Sequence, residues 1–211
     1  MKQMLKVNEI FNSIDGEGKR AGELASFIRL TGCNLRCSYC DTLYAMDEGH
    51  EMSIEDIIKG VKHYNVTLTG GEPLYQDVHG LLEELWHSHD VNIETNGSMD
   101  ITKYFDYPNT WFTVDYKCYC SAMSKAMLPK TFKALRPQDV LKFVVGSVED
   151  LEQARSVCDE YEPCCPVYIS PVFGQIKPSQ IVDYMQKNNM ENWRVQLQLH
   201  KFIWDPMKRG V

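Results

Sequence analysis

Short apolar segments alternating with helix-forming segments constrain the fold of this chain more than any other feature. The strand candidates are rich in Val, Ile, Phe and Tyr, as β-strands usually are. They cover residues 25–32, 66–70, 91–97, 111–117, 140–146, 167–174 and 193–204. Helices are predicted over 54–64, which Ser53 caps, and over 78–87, 148–158 and 179–187. This order implies parallel strands joined by right-handed crossovers.

The number of strands predicts an open architecture. Six or so strand–helix units are too few for a closed eight-stranded barrel of typical length. We therefore predict an α/β fold, an incomplete parallel β/α barrel. A chain of 211 residues without repeats or low-complexity tracts suits one domain, and we expect residues 1–211 to form it.

A polar or glycine-rich motif follows each of five predicted strands. Ligand sites of parallel β/α folds gather at the carboxyl ends of the strands. The motifs are a cysteine loop at 33–40, Gly-Gly-Glu-Pro at 70–73, Glu-Thr-Asn-Gly at 94–97, Asp-Tyr-Lys at 115–117 and Ser-Pro-Val-Phe-Gly at 170–174. We expect all five to converge on one site.

Composition excludes several classes of protein. The net charge of −7 disfavours nucleic-acid binding, which needs clustered Lys and Arg. No apolar run is long enough to span a membrane, and the first ten residues lack the apolar core of a signal peptide. We expect a cytoplasmic protein without membrane partners. Its eight cysteines are then thiols or metal ligands, because disulfides are rare in the cytosol.

The cysteine loop predicts a metal centre. Cys33, Cys37 and Cys40 could bind a soft metal or an iron–sulfur cluster through thiolates. A structural zinc site needs a fourth ligand, for which His50 is the nearest candidate in sequence. Three ligands alone leave one coordination position open, which is typical of a catalytic metal centre.

The Cys-x3-Cys-x2-Cys spacing, with Gly-Gly-Glu-Pro one strand later, resembles the radical S-adenosylmethionine (SAM) enzymes. The resemblance implies a 4Fe–4S cluster on Cys33, Cys37 and Cys40, with the fourth iron open to SAM. It also implies the radical SAM type of open barrel. The residues it places around SAM are Tyr39, Cys40, Asp41, Gly70, Gly71, Glu72, Gly97, Asp115, Tyr116, Lys117, Ser170, Pro171, Val172 and Phe173.

Nearly the whole chain, and most densely the part before residue 45, resembles the 7-carboxy-7-deazaguanine synthase family. The matching motifs are SIDGEG, FIRLTGCNLRC, CDT and QLHK. The resemblance implies ring contraction of 6-carboxy-5,6,7,8-tetrahydropterin to 7-carboxy-7-deazaguanine with loss of ammonia, in 7-deazapurine (queuosine) biosynthesis. The 5′-deoxyadenosyl radical would take the hydrogen from C6, and SAM would not be consumed. The family also implies Mg²⁺ on Thr42.

The same resemblance implies the substrate contacts. Ile14, Asp15 and Gly16 would offer backbone groups to the pterin, and Arg29 would bind its carboxylate bidentately. Thr95 and His200 are further candidates. Two positions depart from the family: many relatives have Gln where Asp15 stands, and the usual Ser-Pro-Lys is Asp-Tyr-Lys at 115–117.

The partners follow from the family as well. We expect a flavodoxin or ferredoxin as electron donor, because the cluster works at low potential, and a homodimer. The alternative function is an activating enzyme that makes a glycyl radical on a partner protein. A non-catalytic zinc- or cluster-binding module is the alternative from another class. Cys118, Cys120, Cys158, Cys164 and Cys165 are predicted to be buried thiols.

Overall fold

The computed structural model describes residues 3–206 and 208–211. Its framework is one nine-stranded sheet in the order β3-β1-β2-β4-β5-β6-β7-β8-β9. The strands are β1 (Met4–Ile14), β2 (Leu24–Leu30), β3 (His50–Ser53), β4 (Asn65–Gly70), β5 (Asp90–Thr95), β6 (Thr110–Tyr116), β7 (Val140–Val145), β8 (Val167–Pro171) and β9 (Trp193–Val195). The helices are α1 (Ile54–Lys59), α2 (His79–Leu85), α3 (Pro129–Lys133), α4 (Val148–Tyr161), α5 (Pro178–Lys187) and α6 (His200–Ile203).

The parallel part of the sheet confirms the predicted fold class. β2 and β4 to β9 pair in parallel, each with the next strand in this order. The outer strands β3 and β9 are not paired with each other, so the barrel stays open. The five strand-end motifs therefore lie along one edge of the sheet, as the sequence predicted.

Two parts of the chain differ from the sequence prediction. β1 pairs antiparallel with both β2 and β3, although the prediction began the sheet with β2. Most residues of β1 are half-buried on both faces, so the strand lacks the alternation that marks the others. The predicted last strand over 193–204 is the three-residue β9 followed by α6, because the chain turns at 199 toward the loop after β1.

Alternate residues of the parallel strands pack against the helices. Ser53 caps α1 as predicted, since its hydroxyl accepts a hydrogen bond from the Asp56 N–H at 3.2 Å. The outer apolar layer joins strand residues to α1, α2 and α4. Its fully buried strand residues include Leu68, Ile93, Val114, Phe143 and Ile169.

The other face of the same strands is polar and concave. It carries Thr69, Glu94, Asp115, Lys142 and Ser170, each one residue away from the apolar set in sequence. The loop between β1 and β2 lies against this face, where its Glu17 pairs with Lys142 of β7. In the part of the chain described here, no helix is long and apolar enough to cross a membrane.

Candidate active site

The cysteine loop follows β2 directly and is anchored on both sides. The Ser38 N–H donates to the Ser121 carbonyl at 3.1 Å, and the Gly32 carbonyl accepts from the Glu72 N–H at 2.8 Å. Burial raises the pKa of the Cys33 and Cys37 thiols. The Cys40 thiol is a further, smaller cause of both increases. All three are free thiols.

The Gly-Gly-Glu-Pro turn is pressed against this loop. A Cβ at Gly70 would lie 2.2 Å from the Leu30 carbonyl oxygen, and one at Gly71 would lie 2.4 Å from the Gly32 carbonyl oxygen. Gly70 also has φ +152°, which other residues rarely adopt. The two glycines thus allow close approach to the cysteine loop itself.

Glu72 ties the ends of β4 and β5 together. Its buried carboxylate accepts hydrogen bonds from the Leu74 N–H at 3.0 Å, the Thr95 hydroxyl at 2.8 Å and the Asn96 N–H at 2.7 Å. Burial raises its pKa to about 6 although these donors lower it. Thr95 therefore lies at the site, and its hydroxyl donates a hydrogen bond to the Glu72 carboxylate.

Asn96 is a site residue that the sequence analysis missed. Its side-chain amide contacts Cys33 Sγ at 3.8 Å and donates to Asn34 Oδ1 at 3.1 Å. The next residue, Gly97, has φ +75°, and a Cβ there would lie 2.6 Å from the Phe132 ring. The motif at 94–97 was recognised, but nothing in the sequence indicated that its asparagine would reach the cysteine loop.

The end of β6 places one ion pair beside the cysteines. Lys117 Nζ lies 2.7 Å from Asp115 Oδ2 and 5.9 Å from the centre of the Tyr39 ring. Burial alone would lower the pKa of Lys117, but Asp115 and Cys37 raise it. Tyr116, between them in sequence, points the other way and packs on Phe132 with ring centres 5.0 Å apart.

Within residues 3–206 and 208–211, three buried polar atoms in the cysteine loop and at the ends of β6 and β8 have no hydrogen-bond partner. They are the Tyr39 hydroxyl, Asp115 Oδ1 and the Ser170 hydroxyl. Unsatisfied buried groups of this kind cost free energy and are rare unless a ligand or water completes them. Pro171 and Val172 continue the end of β8, and the Val172 N–H donates to the Val145 carbonyl at 2.7 Å. Phe173 is 55% exposed at the rim of the site.

The loop after β1 brings the predicted pterin residues to the concave face. The Gly16 carbonyl accepts from the Leu199 N–H at 2.9 Å, and the His200 ring lies where a Gly16 Cβ would stand. Burial lowers the pKa of His200. Ile14 ends β1 just before this turn. The backbone at 14–16 and the His200 ring thus share one corner of the site.

The Asp15 side chain turns away from that corner. It pairs with Arg20 at 3.1 Å and accepts a hydrogen bond from the Thr67 hydroxyl at 3.1 Å. Burial, aided by the nearby Glu94 carboxyl, raises its pKa to about 7 in spite of Arg20. Arg20 in turn donates to the carbonyls of Val66 and Asp90 at 3.1 and 2.9 Å. Asp15, together with Arg20, therefore fixes the loop between β1 and β2 to β4 and β5.

Arg29 is held from behind by Glu9. Its Nε lies 2.8 Å from Glu9 Oε1, which also accepts from the Tyr44 hydroxyl at 3.1 Å. A register shift of β1 between Val7 and Glu9 sets the glutamate opposite Arg29. Tyr44 belongs to the turn that follows Thr42. The Thr42 hydroxyl lies 3.7 Å from Cys40 Sγ.

Further charged groups on the concave face escaped the sequence analysis. Lys142 Nζ lies 2.8 Å from a Glu17 carboxylate oxygen. Burial would raise the pKa of Glu17, but Lys142 lowers it below its usual range. Lys201, next to His200, pairs with Asp41 at 3.1 Å and joins α6 to the cysteine loop. A lysine inside an apolar strand is the signal that could have identified Lys142.

Comparison with known proteins identifies the family. Residues 27–150 match the Radical SAM superfamily. A 7-carboxy-7-deazaguanine synthase of Clostridium acetobutylicum is 44% identical over 98% of this chain and 99% of its own length. This chain belongs to the 7-carboxy-7-deazaguanine synthase family. A second member, from Methanospirillum hungatei, is 37% identical over 96% of this chain and 86% of its own.

A solved structure agrees with this membership. QueE from Escherichia coli superposes with a TM-score of 0.74 at 25% identity, over 92% of this chain and 94% of that one. The family match and these relatives confirm the resemblance inferred from the motifs. Radical SAM enzymes use a 4Fe–4S cluster and SAM. The alternative of a non-catalytic zinc module is thereby ruled out.

The residues at the site fit both groups. The three thiols on one short loop are the soft ligands that iron–sulfur clusters take. The unpartnered Tyr39, Asp115 and Ser170 atoms offer donors and acceptors to a polar ligand beside them. The other cysteines differ among themselves: Cys118 and Cys165 are buried as predicted, Cys120 and Cys158 half-buried, and Cys164 exposed, against the prediction. Cys164 follows a helix end and lies on the surface loop before β8.

Proposed function

We propose that this chain converts 6-carboxy-5,6,7,8-tetrahydropterin to 7-carboxy-7-deazaguanine with loss of ammonia, in 7-deazapurine biosynthesis. The observation that carries the proposal is the near-complete alignment with curated synthases at up to 44% identity. The position of the cysteine loop, directly after β2 at the carboxyl ends of the parallel strands, supports it. Residues 1–211 would act as a single domain.

Cys33, Cys37 and Cys40 would hold the cluster. When bound, cluster and SAM supply the 5′-deoxyadenosyl radical that takes the hydrogen atom from C6 of the pterin. Asn96 and the turn at 70–72 brace the loop on which these cysteines stand. Tyr39, Asp115 and Ser170 would contact SAM through their free polar atoms. The remaining contacts would come from Asp41, Gly97, Lys117 and the backbone of 171–173.

Arg29 is the proposed partner of the pterin carboxylate. Glu9 engages its Nε, which leaves the two terminal guanidinium nitrogens available for a bidentate pair. The backbone of 14–16, Thr95 and His200 would hold the ring.

The Asp15 side chain is bound to Arg20. Its backbone N–H donates to the Glu23 carbonyl and its carbonyl accepts from the Gly22 N–H, both at 2.8 Å, so a pterin contact here would use the remaining lone pair of that carbonyl. Asp in place of the Gln common in relatives would therefore change how this loop is attached to β4 and β5, and not the contacts to the pterin ring.

Mg²⁺ would bind the Thr42 hydroxyl. One hydroxyl is a weak site by itself, but Mg²⁺ usually keeps several waters and takes ligands from its substrate. The position of Thr42 supports the proposal. Thr42 begins the turn that contains Tyr44, and the Tyr44 hydroxyl donates to Glu9, the partner of Arg29. The ion and Arg29 would then orient the same carboxylate.

The partners proposed for the reaction are a homodimeric second copy and a flavodoxin or ferredoxin. A cytoplasmic location suits eight cysteines that are all free thiols. Dimer and donor are expectations from the family.

Turnover of the pterin tests the function directly. Reconstituted protein would be incubated anaerobically with dithionite, SAM, Mg²⁺ and the carboxytetrahydropterin, and the products identified by mass spectrometry. We expect 7-carboxy-7-deazaguanine and no net consumption of SAM. Cleavage of SAM at the same rate with and without the pterin, and no deazaguanine, would contradict the proposal and favour the glycyl-radical activating function.

A further inference from the structure

The short helix α6 carries a buried lysine next to exposed residues. The Lys201 side chain is 10% exposed, whereas Phe202 and Ile203, which follow it in the same helix, are 64% and 55% exposed. Burying an ammonium group costs free energy unless the group is paired. The groups that Lys201 contacts therefore hold its side chain inward.

Those groups belong to two of the strand-end motifs. Lys201 Nζ lies 3.1 Å from Asp41 Oδ2, and Asp41 directly follows the last cysteine of the loop. The same nitrogen lies 5.6 Å from the centre of the Phe173 ring, which is within the range of a cation–π contact. Asp41 and Phe173 are both proposed contacts of SAM. Lys201 thus connects α6 to the SAM side of the site.

The start of α6 contacts the pterin side of the site. The Leu199 N–H donates to the Gly16 carbonyl at 2.9 Å, and the His200 ring lies where a Gly16 Cβ would stand. Gly16 and His200 are both proposed contacts of the pterin. One helical turn therefore joins the two ligand sites through two consecutive side chains, His200 and Lys201.

Neither α6 nor its ion pair is strong by itself. The helix has four residues, and a helix this short is not stable in isolation. The Asp41 side chain is 54% exposed, so water screens its attraction to Lys201. A ligand that displaces this water strengthens the attraction between the two charges. SAM beside Asp41 would therefore fix α6, and His200 with it.

We propose that Lys201 is a positioning residue that couples the binding of SAM to the binding of the pterin. The proposal rests on the proposed function for the identity of the second ligand. SAM strengthens the Lys201–Asp41 pair, the pair orders α6, and α6 sets His200 for the pterin. Because a coupling free energy is reciprocal, the pterin strengthens the binding of SAM by the same factor.

Hydrogen exchange in α6 tests the first step of this coupling without the pterin. The reporters are the amides of Phe202, Ile203 and Trp204, which donate to carbonyls of the same turn at 3.0–3.1 Å. On reconstituted protein, we expect SAM to slow their exchange by about fivefold or more in wild type and in Lys201→Arg, which keeps the charge. In Lys201→Met the slowing should be less than about twofold.

Lys187→Met is the matched control, because it removes an exposed lysine at the end of α5. It should behave as wild type, after circular dichroism has shown that all variants fold. The proposal would be overturned by an absence of slowing in wild type, by equal slowing in wild type and Lys201→Met, or by an equal loss in both Met variants.

Calorimetry tests the second step. Without a reductant the cluster stays oxidised, so neither ligand reacts. The dissociation constant of SAM would be measured with and without 6-carboxy-5,6,7,8-tetrahydropterin. We expect the pterin to lower it by about fivefold or more in wild type and Lys201→Arg, and by less than about twofold in Lys201→Met. A structural defect would weaken both affinities and leave this ratio unchanged, which would overturn the coupling role.

The two measurements separate this proposal from the proposed function. Failure of the wild type to bind the pterin would count against the function, while hydrogen exchange with SAM alone would still decide whether Lys201 transmits SAM binding to α6. Binding of the pterin with the same ratio in wild type and Lys201→Met would overturn the role of Lys201 and leave the function standing.

Discussion

The two faces of the parallel sheet carry different properties of the protein, although they are built from the same strands. Ile169 and Phe143 face the helices and are fully buried in the apolar core. Ser170 and Lys142, their neighbours in sequence, face the concave side, where one has an unpartnered hydroxyl and the other an ion pair with Glu17. A shift of one residue therefore separates packing from ligand contacts.

The comparison shows why this concave face is costly to the fold. It buries Lys142, Asp15 and Arg20 and half-buries Glu17, and buried charges stabilise a fold poorly even when they are paired. The outer layer supplies the stability that lets this polar face persist. Substitutions on the two faces should accordingly be separable by assays of folding and of ligand binding.

Cys37→Ala should have the largest effect. Loss of one of three cluster ligands should abolish iron binding and product formation while the far-ultraviolet circular dichroism stays unchanged, because the loop contributes little to the core. Iron content per chain after reconstitution is the measurement. Cys164→Ala, which removes an exposed thiol, is the control and should keep its iron. Equal iron in both variants would contradict the assignment of the cluster to this loop.

Ile169→Ala tests the outer face. Removing a fully buried side chain should lower the free energy of unfolding by about 2–5 kcal/mol. Urea denaturation of the apoprotein measures it, with Val182→Ala on the exposed side of α5 as the control. A loss under about 0.5 kcal/mol would mean that the outer layer does not carry the stability assigned to it.

Asp15→Asn tests the floor of the concave face through pH. The pKa of Asp15 is raised from 3.8 to about 7 in the folded state. Between these values the folded protein holds a proton that the unfolded chain has released, so this group makes stability fall as pH rises. From about pH 5 to about pH 8, wild type should lose more unfolding free energy than Asp15→Asn. Parallel curves would contradict the raised pKa.

Glu9→Gln should have the smallest of these effects. Gln can still accept a hydrogen bond from Arg29 Nε, but it no longer holds the guanidinium by charge. The KM for the pterin should rise by roughly tenfold at most, with kcat changed less, because Arg29 acts in binding. Glu51→Gln, which removes a charge from the exposed strand β3, is the control. A fall of kcat with unchanged KM would contradict a positioning role.

Much of this architecture could be predicted from the sequence because most of the parallel strands are apolar and five of them end in a motif. The antiparallel strand β1 could not, since its residues are half-buried on both sides and show no alternation. The motifs located the cysteine loop and its surroundings. The partners Glu9 and Glu17 were missed because they lie far along the chain from Arg29 and Lys142, and only the folded sheet brings them together.

The affinity of SAM for two neighbouring variants tests the division between the faces most directly. Ser170→Ala removes a buried hydroxyl that has no hydrogen-bond partner among the residues that the structure describes, so it should cost little stability. On reconstituted protein, we expect calorimetry to give a weaker SAM affinity for Ser170→Ala and a wild-type value for Ile169→Ala at temperatures where both are folded. The reverse pattern, or equal SAM affinities in both, would contradict the account.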